Sequence, residues 1–115
     1  LDVSVYAKNK SVPQIKNKIT IIPNLNFLNN KFDLIICLNV FNYFKYSKID
    51  SIINLIRDNS KKSFLIIETI TSSKKKRDFL SSDPNFIIAE KKEWWNNKFK
   101  KLNFNTDNIF YRDLI

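Results

Sequence analysis

Residues 32–38 read Phe-Asp-Leu-Ile-Ile-Cys-Leu, an apolar run in which Asp33 is the one charged side chain. A strand with one wet face alternates apolar and polar residues, and this run does not. It reads as a strand covered on both faces by helices, the environment of a parallel sheet. That requirement excludes a lone hairpin and points to a layered α/β domain.

The flanking segments fit such a layering. Residues 1–5 resemble a strand end, with Asp2 and Ser4 as caps for a short helix over 6–10. Lys-Ile-Thr-Ile-Ile-Pro (18–23) is a β-branched strand stopped by Pro23, and 24–31 is an asparagine-rich loop. Beyond the central run, residues 46–59 carry Ile49, Ile52, Ile53 and Ile56 at helical spacing behind Ser47, the expected N-cap. Asn-Ser-Lys-Lys-Ser (59–63) is expected to turn the chain into a buried strand over 63–70. The polar stretch 71–86, broken by Pro84, is expected to be a mobile loop. Residues 90–104 predict a helix with Trp94, Trp95, Phe99 and Leu102 as its apolar stripe, and 108–115 a closing strand. Strands alternating with helices predict a doubly wound parallel sheet. Ligands bind such sheets beyond the strands' carboxyl ends. The rim there would hold Asp2, Asn24, Asn39, Asn42, Tyr43, Glu68 and Thr69.

Composition narrows the chemistry. The 115 residues make one domain, and 43% apolar content suffices for a core. No run of 18 apolar residues and no signal-peptide pattern occurs, so no membrane association is expected and a cytoplasmic location is. Histidine is absent, which closes imidazole catalysis and the usual zinc sites; no metal is expected. Cys37 is the only cysteine and reads as a small core residue. The net charge of +9 comes from lysines spread along the chain, inflated together with Asn, Ile and Phe as in an AT-rich coding sequence. Only Lys74–Arg77 form a basic run, expected to be solvated, so charge alone does not argue for nucleic acid. Glycine is absent against a usual share of about 7%. Left-handed backbone positions must therefore fall to asparagine. With Leu1 in place of Met, this leads us to expect a piece of a longer protein whose missing part holds a glycine-rich segment.

Taken in order, the segments resemble class I S-adenosylmethionine-dependent methyltransferases. Leu-Asp-Val-Ser-Val (1–5) is similar to the family's second-strand end, an acid followed by a serine before a helix. Residues 25–44 resemble its loop and fourth strand: a Phe-Asp start, aliphatics, then a polar residue and a turn. Residues 55–68 match the helix, turn and fifth strand. Residues 93–104 resemble a late helix in which tryptophans precede a Phe-x-x-x-Gly-Phe-type end. Asp83-Pro84 is similar to the Asp-Pro-x-His segment of one subgroup.

The resemblance implies a Rossmann-like sheet with helices on both faces, truncated at its N-terminus so that the first strand and glycine loop are absent. It implies S-adenosyl-L-methionine as cofactor and a small-molecule or glycan-type acceptor. Asp2 then matches the acid that accepts hydrogen bonds from the cofactor's ribose hydroxyls, since a carboxylate takes two donors at once. Asn24 lies where an acid usually meets the adenine amino group. Leu38 and Asn39 line the cofactor's methionine end, and Asn42 and Tyr43 border the acceptor pocket. Tyr43, Glu68, Asp83 and Glu90 are available as bases, with nothing to select among them. Several positions depart from the family: the acid after the third strand is missing within 22–26, the Pro-Gly-Gly-type turn is replaced by 59–63, and the subgroup histidine falls at Asn85 or Phe86. Without the central strand the 115 residues alone are expected to be marginal, with unpaired inner edges and poor solubility. Two alternatives remain open: a non-catalytic binding module of the same fold, and an RNA-binding or RNA-modifying domain.

Overall fold

The computed structural model describes residues 31–113, together with Asn9, Lys10 and Pro13. The expected elements before Lys31, and with them Asp2 and Asn24, lie outside the described residues.

Three strands make a parallel sheet in the order β1-β2-β3: β1 Phe32–Leu38, β2 Ser60–Thr69 and β3 Ile109–Asp113. The register runs from Phe32 opposite Ser60 to Leu38 opposite Ile66, and from Leu65 opposite Ile109 to Thr69 opposite Asp113. A 3-10 turn, Phe41–Tyr43, and helix α1, Ile49–Asn59, connect β1 to β2. Helices α2, Ser73–Ser82, and α3, Lys92–Lys101, connect β2 to β3.

The strand at 32–38 coincides with its sequence expectation, and the helix and strand types at 49–59, 60–69, 92–101 and 109–113 agree with theirs. Three details differ. Lys48, not Ser47, is the N-cap of α1, and it makes no side-chain cap bond. The Ser51 hydroxyl donates to the Lys48 carbonyl at 2.8 Å and is not a cap. Residues 60–62 belong to β2 rather than to a turn, because α1 passes directly into the strand.

The third difference is the larger one: 73–82 is helical, not a loop. The Ser72 hydroxyl caps α2 by accepting from the Lys75 N–H at 3.2 Å, and Asp83 is extended before Pro84, as the pyrrolidine ring requires of its predecessor. No residue of α2 is buried, so it carries no apolar stripe from which a helix could be read.

One face of the sheet is packed. Leu65 and Ile67 of β2, with Ile35, Cys37, Ile109 and Tyr111, meet Ile49, Ile53 and Ile56 of α1 and Trp95 and Phe99 of α3. Phe41 sits between them, its ring 6.1 Å from Trp95 and 6.2 Å from Phe99. Burying each such large side chain contributes about 1.5–3 kcal/mol. Lys98 ties the two helices at their surface, 2.8 Å from Asp50 Oδ1 and with its ammonium over the Trp94 ring.

The other face departs from the expectation of a strand covered on both sides. Leu34, Ile36, Leu38 and Phe110 are each about half exposed on it. The reason is topological: both described crossovers step along the sheet in the same sense, and α1 and α3 both pack against one face.

The expectation that asparagine replaces glycine holds among the described residues. The two left-handed backbones are Asn39 (φ 55°) and Asn103 (φ 54°). Asn103 ends α3 in a Schellman arrangement: its N–H donates to the Lys100 carbonyl and the Phe104 N–H to the Phe99 carbonyl at 2.9 Å. The accompanying apolar contact is there too, with the Phe99 and Phe104 rings 5.2 Å apart.

Candidate functional site

The carboxyl ends of all three strands meet along one rim. At the end of β1 the chain turns through Asn39, whose N–H donates to the Ile66 carbonyl at 2.9 Å. Its left-handed backbone aims the side chain away from the strand's ordinary alternation. The Asn39 Oδ1 is shielded from solvent and has no hydrogen-bond partner among the described residues. An orphaned acceptor of this kind forfeits about 1–3 kcal/mol until a donor reaches it. Leu38, just before it, is half exposed on the open face.

Asn42 is fully buried and wholly occupied. Its amide nitrogen donates to the carbonyls of Glu68 and Ile88, at 2.8 and 2.9 Å, and its Oδ1 accepts from the Glu68 N–H at 3.1 Å. Its own carbonyl accepts from the N–H groups of Ile87 and Ile88, both at 2.8 Å. Asn42 thus clasps the end of β2 and the segment 87–88 to the turn after β1. The structure makes it an internal anchor of the rim, buried and with both amide hydrogens and its Oδ1 engaged.

Tyr43 lies next to it and points outward, 41% exposed. Its hydroxyl donates to Asp83 Oδ2 at 2.9 Å, and its ring packs edge-on against Phe86. Three residues on, the Tyr46 hydroxyl donates to Glu90 Oε1 at 2.8 Å, and Lys76 Nζ stands 3.3 Å from the same oxygen. The Asp83 hydrogen bond raises the Tyr43 pKa, and burial followed by the Glu90 hydrogen bond raises that of Tyr46. At neutral pH both phenols are therefore neutral donors, not bases. On β2, Glu68 pairs with Arg112 of β3, and the Thr69 hydroxyl donates to Asp113 Oδ1 at 2.6 Å. Asp83 also accepts from the Asn85 N–H, so each rim carboxylate already holds at least one donor.

The structure therefore brings Leu38, Asn39, Asn42 and Tyr43 together with Glu68 and Thr69, as the alternation of elements implies. Tyr46, Lys76, Arg112 and Asp113 join them without having been marked in the sequence. Their rim positions depend on α2 and on strand order, which spacing along the chain does not encode. Cys37 lies beneath, its thiol pushed up to about 11 by burial, which makes it a packing residue rather than a nucleophile. Among the described residues no group of side chains is arranged to hold a metal ion, and no helix is long and apolar enough to cross a membrane. Comparison with protein-family models, with curated proteins and with solved structures found no match to this chain.

Proposed function

We propose that the chain carries S-adenosylmethionine-dependent methyl transfer to a small-molecule or glycan-type acceptor, on a doubly wound, Rossmann-like sheet. The observation that supports this reading is Asn39: a shielded, partnerless oxygen on a left-handed turn at the carboxyl edge of a parallel strand. Ligands of such sheets bind at that edge. A carbonyl acceptor suits an ammonium or amide donor, and S-adenosylmethionine carries an ammonium at its methionine end.

Leu38 and Asn39 would hold that end, with Asp2 on the ribose hydroxyls and Asn24 near the adenine. The cofactor supplies a sulfonium-activated methyl group, so the protein's task is alignment and exclusion of water. Asn42 keeps the rim in register. Tyr43, neutral and exposed beside Asp83, offers a hydroxyl that orients an acceptor group. The Asn103 turn of α3 also supports the reading, since it stands where the family pattern has glycine.

The test is calorimetric titration of the full-length gene product with S-adenosylmethionine. Asn39→Gly keeps the left-handed backbone and removes the acceptor; it should weaken binding by the roughly 0.5–1.5 kcal/mol of one hydrogen bond. Asp2→Ala should weaken it by about 1.5–3 kcal/mol, the range for bonds to a charged group. Absence of heat from the unaltered protein would overturn the reading.

A further inference from the structure

Residues 71–86 leave the body of the molecule and return to it at one place. At that base the Ile70 N–H donates to the Glu90 carbonyl at 3.2 Å, and the Asn42 carbonyl accepts from the N–H groups of Ile87 and Ile88, both at 2.8 Å. Thr69, just before it, is in register with Asp113 of β3. The base is thus fastened to the sheet without using α2, which makes up most of the excursion.

Helix α2 itself is weakly founded. It has 10 residues, fewer than the roughly 12–15 at which an isolated helix is even marginal. Lys74, Lys75 and Lys76 lie in its first turn with no acid among them, so its leading charges oppose the helix dipole. Leu80 is exposed, and Phe79 is the one apolar α2 side chain packed against a buried cluster. That cluster is the small one of Ile70, Phe86 and Ala89, separate from the main core, and the Phe79 ring is itself only half-buried, 5.7 Å from that of Phe86. Lys76 adds a partly exposed ion pair with Glu90, a kind that contributes little. Local opening costs what the opening contacts are worth, and here the apolar share is a single half-buried ring.

We propose that α2 is a strap that lifts from the carboxyl edge as one unit, pivoting at 71–72 and 83–85 while the sheet and the Asn42 clasp stay closed. In the closed form Phe79 packs on Phe86, whose ring lies 5.6 Å from that of Tyr43, and Lys76 pairs with the Glu90 oxygen that also accepts from Tyr46. Lifting α2 bares the Phe86 ring beside Tyr43 and releases Glu90 from its cation. The strap therefore controls access to the side of the rim assigned to the acceptor. That use rests on the methyl-transfer reading; the opening itself does not.

The test is native-state amide hydrogen exchange of the full chain, followed by NMR at increasing sub-denaturing urea. Amides at 77–82 are expected to share one opening, at least a hundredfold less protected than α1 and α3 and with little dependence on urea. The Ile70, Ile87 and Ile88 amides are expected to stay with the slow group. Phe79→Ala should speed exchange across 77–82 at least fivefold and leave α1, Ile70 and Ile88 unchanged, which also reports that the variant remains folded. Exchange of α2 at the rate and urea dependence of α1 would overturn the proposal, because the helix then opens only with the whole domain. So would an opening that carries Ile70 and Ile88 with it, or exchange at 77–82 as fast as in an unfolded chain. S-adenosylmethionine titrated into the same sample keeps the two readings apart. Absence of cofactor binding removes the acceptor from the rim and leaves the strap, whereas a failed exchange pattern alongside cofactor binding removes the strap alone.

Discussion

Asn103 and Asn39 show how a chain without glycine makes its sharp turns. Asparagine tolerates the left-handed region that costs other L-residues about 1–2 kcal/mol. Asn103→Gly should accordingly leave the urea midpoint unchanged or raise it, while Asn103→Ala should lower stability by about 1 kcal/mol. Asn42 is the opposite case, a residue defined by its partners. Asn42→Ala strands the Glu68 N–H and two carbonyls in a buried site, and equilibrium urea unfolding should show a loss of about 2–4 kcal/mol. Tyr111 donates to Asn96 Oδ1 at 2.7 Å, and burial pushes its pKa up to about 12 from the ordinary 10. The unfolded chain releases that proton near pH 10 while the native chain keeps it, so the unfolded state binds fewer protons and stability falls as pH rises. Melting temperatures should decline between pH 10 and 12, less so in Tyr111→Phe. The sequence carries the asparagine argument in full, because absence of glycine leaves few alternatives. It does not carry the role of Asn42. An asparagine after a strand reads as a turn or rim residue, and only partners 26 and 46 residues away reveal it as a clasp.

Among the elements, legibility followed the apolar pattern. Residues 49–59 and 92–101 bury side chains at the helical period, and 32–38 is apolar throughout except at Asp33, so each was readable within a few residues. Helix α2 buries none, and apart from its Ser72 cap its supports come from outside the helix: Phe79 against Phe86, Lys76 against Glu90, and the hydroxyl of Tyr43 on its C-cap Asp83. A helix held from outside leaves no periodicity to find. Its one local support, Ser72, predicts that Ser72→Ala destabilises α2 by about 1 kcal/mol. Amide hydrogen exchange should show that loss across 75–80, with α1 and α3 unaffected. By contrast Ile53→Ala in α1, at a fully buried site, should cost about 2–5 kcal/mol for the whole domain.

Across the whole molecule, the sheet is finished on one side only within residues 31–113. The sequence states that β1 is apolar on both faces, but not in which direction the chain winds, and winding decides which face is covered. Ile36→Lys on the open face should raise solubility with little change in melting temperature, whereas Leu65→Ala on the closed face should lower it by several degrees. A large drop for Ile36→Lys would mean that the open face is in fact sealed. The clasp at Asn42 has its own consequence in time. It joins segments that only meet after β2 has paired with β1 and residues 87–88 have docked, so its bonds form late along the folding route. Interactions absent from the transition state act as a brake on departure rather than an aid to arrival. Removing that one amide should speed unfolding many-fold while refolding proceeds at nearly its original rate, which makes Asn42 a determinant of how long the rim endures once made.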